Sequence, residues 1–189
     1  INELEDLEIL AISFNEFTAL PDQITELQKL RRILAEGNYF ETLPEQLGSI
    51  ANLEMLNVQG SNLIRIPSSI TSLSFLSYLG LHQNKLGFDA IEQSYGDVSR
   101  IEYYGQKALG DTTHLDISST QNIGIIVGGS QNHYTWYKDG IAITPAVDSD
   151  TIEVSESGVY HASITSDSIP SLTLTHNPII VNIGDIITE

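Results

Sequence analysis

A step of 23 residues governs the first half of this chain. Pro21, Pro44 and Pro67 stand one step apart. So do Leu7, Leu30, Leu53 and Leu76, then Leu10, Ile33, Leu56 and Leu79, then Ile12, Ala35, Val58 and Leu81. Phe17, Phe40, Leu63 and Leu86 keep the same register, as do Ile24, Leu47 and Ile70, and Leu27, Ile50 and Leu73. One register accounts for nearly every large aliphatic residue up to Leu86. A period of this length means stacked supersecondary units, each with an apolar flank too small to form a core alone. Within a unit, alternation sends two aliphatics inward from a short strand and leaves the residues between them outside.

The unit reads L-x-x-L-x-L-x-x-N-x-F/L-x-x-L/I-P-x-x-I/L-x-x-L over residues 1–88. This pattern resembles the leucine-rich repeat family, of the type carrying LPxxI on its convex side. The resemblance implies an α/β-type solenoid of short parallel strands with little helix. It also implies that Asn15, Asn38 and Asn84 turn inward and satisfy backbone groups of adjacent turns. The third repeat departs, with Ser61 in that slot and Asn62 one residue late. Either Ser61 is a shorter partner or the loop shifts. One step before Ile24 and Leu27 stand Ile1 and Leu4, so the chain opens inside the closing half of a preceding repeat and reads as a fragment of a longer protein. Asp89 and Ala90 fill the slots where Leu and Pro should recur. The expectation is that the array stops there, with Phe88, Ile91, Tyr95, Val98 and Ile101 forming an irregular cap, and that the repeat domain spans 1–104.

From about Gly105 the period becomes two and Thr, Ser, Ile and Val dominate, which predicts short strands and an all-β domain over 105–189. Residues 133–140 read as a strand ending in an Asp-Gly turn, with a return over Ile141 to Ile143. Pro178 marks an interruption in the last strand. Trp136 followed by Glu156-Ser157-Gly158-Val159-Tyr160-His161-Ala162 resembles the immunoglobulin-like β-sandwich. That family has a buried Trp on its third strand and a Tyr two residues before its second cysteine. Trp136 and Tyr160 match those slots. The resemblance puts Ile117 and Ala162 in the two cysteine positions, with apolar packing in place of a bridge that is worth roughly 2–4 kcal/mol. Repeats followed by a cysteine-free domain of this kind resemble secreted, multidomain bacterial surface proteins, which implies an extracellular or cell-surface location.

Charge narrows the function classes. The chain carries 8 Lys+Arg against 25 Asp+Glu, a formal net charge of -17. Nucleic-acid binding needs a basic footprint, so it is excluded as an expectation. No apolar stretch approaches the roughly 18–20 residues needed to span a bilayer, and membrane insertion is not expected. Without cysteine there are no disulfides, thiolate metal sites or cysteine nucleophiles.

The search for chemistry is negative. There is no P-loop, nucleophile elbow or H-E-x-x-H, and Gly124 to Gly129 does not spell a dinucleotide fingerprint. His114 and Asp116 share a strand face, but His161 is expected to point outward from the opposite sheet, so the three do not converge. Asp148 and Asp150 are close enough to share a calcium ion, with an ordinary polar loop as the alternative. Neither a cofactor nor a metal is expected, and no enzyme.

What remains is a surface. Alternate strand residues point to the side that is concave in the family. They give three columns: Ile9, Arg32, Met55 and Tyr78; Ala11, Leu34, Asn57 and Gly80; and Ser13, Glu36, Gln59 and His82. Solenoids bind partners along this face, and Tyr, Met and Arg are enriched at interfaces. The expected ligand-binding residues are Arg32, Leu34, Glu36, Met55, Asn57, Gln59, Tyr78 and His82, with a protein or glycan as partner. Spacer domains of a surface protein and accessory domains of a secreted hydrolase are the competing expectations.

Overall fold

The computed structural model describes residues 3–94 and 100–184. The chain divides into two compact units, Ile1–Lys107 and Ala108–Glu189.

The first unit is built on one parallel sheet of five short strands in chain order: β1 (Ile9–Ala11), β2 (Arg32–Leu34), β3 (Met55–Asn57), β4 (Tyr78–Gly80) and β5 (Arg100–Glu102). The register follows the 23-residue step, with Leu10 beside Ile33, Ile33 beside Leu56 and Leu56 beside Leu79. These inward side chains stack into columns. Leu30, Ile33, Ala35 and Phe40 are fully buried, and so are Leu53, Leu56, Val58 and Leu63 one step later. Each such burial contributes roughly 1.5–3 kcal/mol for a large aliphatic, so the stack supplies the core that no single repeat has.

The return side after each of β1, β2 and β3 is a single 3-10 turn, not an α-helix. Proline sets it: φ is -68° at Pro21 and -63° at Pro67, and each stands just ahead of its turn. The carbonyls of Pro21, Pro44 and Pro67 accept from the backbone N–H of Ile24, Leu47 and Ile70 at 3.0 Å each. These turns pack tightly. A Cβ on Gly48 would lie 2.0 Å from the Ser69 carbonyl oxygen, so only glycine admits the neighbouring turn.

The asparagines form a repeated rung. Asn38 Nδ2 donates to the carbonyls of Ala35 (2.9 Å) and Ile12 (3.0 Å), and its Oδ1 accepts from Phe17 N (3.0 Å). Asn84 repeats the pattern two steps on, with Leu81 O (2.9 Å), Val58 O (3.0 Å) and Leu63 N (3.0 Å). Asn15 is exposed and donates only within its own loop, to Ile12 O and Ser13 O. Ser61 does not act as a shorter partner. It is buried, its Oγ has no hydrogen-bond partner among the described residues, and its carbonyl instead accepts from Lys107 Nζ.

The array does not stop at Asp89. A short α-helix, α1 (Phe88–Ser94), replaces the 3-10 turn, and β5 then pairs parallel with β4, Ile101 beside Leu79. Gln106 closes this fifth unit. Its Nε2 donates to Tyr103 O (2.7 Å) and Leu81 O (3.0 Å) while its Oε1 accepts from Leu86 N (3.0 Å), the same three bonds as the asparagine rungs. Phe88 and Ile91 are buried, as expected of the cap; Tyr95 and Val98 lie outside the described residues.

The second unit is all β. Its strands are β6 (Thr113–Ile117), β7 (Gln121–Gly124), β8 (Asn132–Lys138), β9 (Ile141–Ala142), β10 (Thr151–Val154), β11 (Gly158–Ser166), β12 (Thr173–Thr175) and β13 (Ile179–Ile183). One sheet runs β6-β13-β11-β8-β9, with β12 also on β11; β7 and β10 form a separate antiparallel pair. Alternation decides what is inside: Tyr160, Ala162 and Ile164 on β11, Trp136 on β8, and Ile152 and Val154 on β10 are buried. β8 and β9 join through Asp139 and Gly140, with φ of 50° and 79°, the left-handed pair a two-residue hairpin requires.

The expected pairing of Ile117 with Ala162 across two sheets does not occur. Ile117 lies on β6 and Ala162 on β11, both in the larger sheet with β13 between them. The residues that enter the core from the smaller sheet are Ile123, Ile152 and Val154. β7 begins four residues after β6 ends, a turn too short for the sequence pattern to separate two strands that belong to different sheets.

Candidate functional site

The exposed face of the parallel sheet carries the three columns read from the sequence. Arg32, Met55 and Tyr78 are direct lateral neighbours on β2, β3 and β4. Arg32 is exposed, and Met55 and Tyr78 are half-buried. In the second column Leu34 is half-buried, while Asn57 is only 9% exposed. Asn57 is committed inside the face: its Nδ2 donates to Glu36 Oε2 and its Oδ1 accepts from Gln59 N at 3.4 Å. Glu36, Gln59 and His82 of the third column are half-buried.

Gly80 makes room in this face. A Cβ there would lie 2.5 Å from Asn57 Oδ1 and 3.0 Å from the Tyr78 ring and hydroxyl. The Tyr78 ring therefore folds across the glycine, and its hydroxyl donates to Glu102 Oε2 at 2.8 Å. His82 Nδ1 lies 3.8 Å from the same carboxylate oxygen, and the imidazole stacks on Tyr104 at 4.8 Å and 7°. Glu102 and Tyr104 were not among the residues expected on this face. Their signal was a step of 22 in place of 23, carrying Leu79 to Ile101 and Asn84 to Gln106.

The other histidines do not form a site. His114 and His161 lie on the same sheet and not on opposite ones, with β13 between their strands. His161 stacks on Tyr137 at 4.8 Å, and Asp116 accepts from Asn182 Nδ2 at 2.9 Å. Among the described residues no three His, Asp or Glu side chains are grouped to hold a metal ion. Asp148 has other partners: His133 Nδ1 at 2.8 Å and Tyr134 N at 2.7 Å.

His133 also faces Asp167, with Nε2 3.4 Å from its Oδ2. The hydrogen bond to Asp148, then that to Asp167, hold the imidazole above its ordinary 6.5. The His133 hydrogen bond, then the Tyr134 N–H, hold Asp148 below 3.8. The signs fix a window. A raised histidine stabilises the fold fully below pH 6.5 and ceases to as pH rises through its folded value. A depressed aspartate does so above 3.8 and ceases to as pH falls. Both contributions are complete between these two values, and the groups are solvent-exposed, so the effect is small. An NMR titration of the His133 ring protons is expected to give a midpoint above 6.5 that drops in Asp148→Asn; a midpoint at or below 6.5 in the unaltered protein would exclude the pair.

Strands, proline turns and asparagine rungs together make the first unit a leucine-rich-repeat solenoid. One solved structure agrees at the level of fold. The InlP protein of Listeria monocytogenes superposes with a TM-score of 0.55 at 18% identity, over 92% of this chain and 52% of its own. An internalin-like protein of the same organism gives a TM-score of 0.44 at 17% identity, covering 94% of this chain and 51% of that one. A leucine-rich-repeat protein of Leptospira interrogans gives 0.44 at 23% identity, covering 57% and 34%. The chain thus spans about half the length of the two Listeria proteins and a third of the Leptospira one. No protein-family model and no curated protein matches the chain. Among the described residues no helix is long and apolar enough to cross a membrane.

Proposed function

We propose that this chain is a non-enzymatic recognition or adhesion module of a bacterial surface protein, binding a protein or glycan partner on the exposed face of its parallel sheet. The observation that carries the reading is the row Arg32, Met55 and Tyr78, set side by side in ladder register on three successive strands. A rigid row of one cation, one thioether and one aromatic is the composition that interfaces favour. The second unit is, in this reading, an immunoglobulin-like domain that spaces or orients the repeats. Trp136 beneath β8, Ala162 directly beside it on β11, and the Tyr160 hydroxyl donating to Glu156 O at 2.8 Å support that assignment. A tyrosine bonded back to the chain just upstream is a mark of that fold. An extracellular or cell-surface location belongs to the same proposal.

The test is a double substitution, Arg32→Ala with Tyr78→Ala, measured against a partner first identified by pull-down with the unaltered protein. Affinity is expected to fall by at least about thirtyfold, the loss of a hot-spot residue. Tyr78→Phe removes the hydroxyl that donates to Glu102 and should keep most of the affinity. Unchanged affinity in the double variant removes this face from consideration.

A further inference from the structure

We propose that the rim leading into the strands of the first unit binds a neutral oligosaccharide, with the Phe75 ring as its platform and Arg31, Asn52 and Glu54 as its polar partners. The site does not depend on the sheet face engaging a partner.

Lys29, Asn52 and Phe75 share one position of the 23-residue step, three residues ahead of β2, β3 and β4. Arg31 and Glu54 share another, one residue ahead of β2 and β3. These five side chains line one opening, with only Glu8 from the first repeat. Phe75 is the one aromatic of its column and is 63% exposed, so the core does not account for it. The polar groups around it are held. Arg31 Nε and Nη2 both donate to Glu54 Oε1, at 2.9 and 2.5 Å, and Asn52 Nδ2 donates to Gln28 O at 2.8 Å. Among the described residues, Arg31 Nη1, Glu54 Oε2 and Asn52 Oδ1 make no hydrogen bond. The opening runs across two inter-strand spacings, about 10 Å, the length of two linked pyranose rings.

Charge and hydrogen bonding select the ligand. The lining holds two carboxylates, Glu8 and Glu54, and two bases, Lys29 and Arg31, so it favours neither a cation nor an anion. It offers a donor at Arg31 and acceptors at Glu54 and Asn52, and a hydroxyl can serve either kind of group. The single ring matches the one apolar face of a pyranose, and a few placed polar groups around an aromatic surface fix a ligand's orientation. An extended peptide is disfavoured because the backbone here is already paired. Arg31 N donates to Glu8 O, Glu54 N to Arg31 O and Ser77 N to Glu54 O, at 2.8, 2.8 and 2.9 Å. A strand adding to this rim would find those groups taken, and Phe75 is the only apolar side chain of the lining.

The probes are cellotriose, maltotriose and triacetylchitotriose, each titrated into the isotopically labelled chain and followed by amide NMR shifts. A sulfated heparin disaccharide and an end-blocked Gly-Ser-Leu-Ser-Gly peptide are the counter-probes. At least one trisaccharide is expected to shift Arg31, Asn52, Glu54 and Phe75, with an affinity that salt leaves unchanged. Phe75→Ala is expected to weaken that binding at least about fivefold, and Glu54→Ala should weaken it also. Arg32→Ala with Tyr78→Ala, on the sheet face, should leave it intact, which separates this site from that one. The spectra of the variants report folding directly. No shift with any trisaccharide, a stronger response to either counter-probe, full affinity in Phe75→Ala, or loss of sugar binding in the sheet-face variant would each overturn the proposal.

Discussion

Trp136→Ala is expected to destabilise the second unit by about 3–5 kcal/mol. Trp136 is the largest side chain in the chain that is fully enclosed, at 1% exposure. Its removal opens a cavity beneath β8 that the strand cannot close, because β8 is held along its length by seven register pairs with β11. The indole also has a polar role. Nε1 donates to Ser149 O at 2.8 Å and so pins the stretch that leads into β10. Alanine removes the donor as well as the volume. A whole domain has about 5–15 kcal/mol of stability, so the variant should be partly unfolded at physiological temperature. Since Trp136 is the only tryptophan, the measurement is urea denaturation followed by far-ultraviolet circular dichroism. Trp136→Phe, which keeps most of the volume but loses the N–H and part of the second ring, should cost less than the alanine variant. A loss below about 1 kcal/mol in the alanine variant would mean that the core is organised around another residue.

The repeat unit was legible because its period is a property of local sequence: every inward position on β1 to β4 recurs at a fixed step, and so does every proline that opens a turn. The fifth strand was not. Its step contracts to 22, α1 takes the place of a 3-10 turn, and glutamine stands where asparagine is expected. Gln106 succeeds there because its extra methylene leaves the amide geometry unchanged, and all three bonds are made. The face residues of β2 to β4 followed from alternation alone. Glu102 and Tyr104 depended on recognising β5.

In the second unit the strands were readable but their partners were not. A strand's sheet is decided by long-range pairing, and β-propensity reports only that a segment suits a pleated surface. Ile117 and Ile123 look alike in sequence, six residues apart, yet one belongs to the sheet of β11 and the other to that of β10. Trp136 and Tyr160 stood out through the resemblance to the immunoglobulin-like pattern; both are buried, and the indole N–H and the phenol hydroxyl each donate to a backbone carbonyl.

The second large effect is expected at Asn84. The side chain is fully buried and bonds three backbone groups: Val58 O and Leu63 N in the preceding repeat, and Leu81 O in its own turn, which Gln106 Nε2 also reaches. Asn84→Ala leaves one donor, Leu63 N, and one acceptor, Val58 O, unpaired in the interior, with no room for water beyond the volume of the lost amide, while Leu81 O keeps its bond from Gln106. An unsatisfied buried group costs about 1–3 kcal/mol, so with two such groups the variant should lose about 2–5 kcal/mol. Asn84→Asp keeps the acceptor for Leu63 N but has no N–H for either carbonyl, and buries a charge besides; it should be no better than alanine. Asn15 supplies the internal comparison. It occupies the same place in its repeat but is exposed and bonds only within its own loop, so Asn15→Ala should change stability by no more than about 0.5 kcal/mol. Hydrogen exchange locates the effect: the Leu63 amide, protected by Asn84 Oδ1 at 3.0 Å, should exchange faster in Asn84→Ala and be unchanged in Asn15→Ala. Equal stability losses at the two positions would show that the asparagine decorates the turn. Unequal ones would show that it is the polar counterpart of the leucine columns, tying each repeat to the one before it.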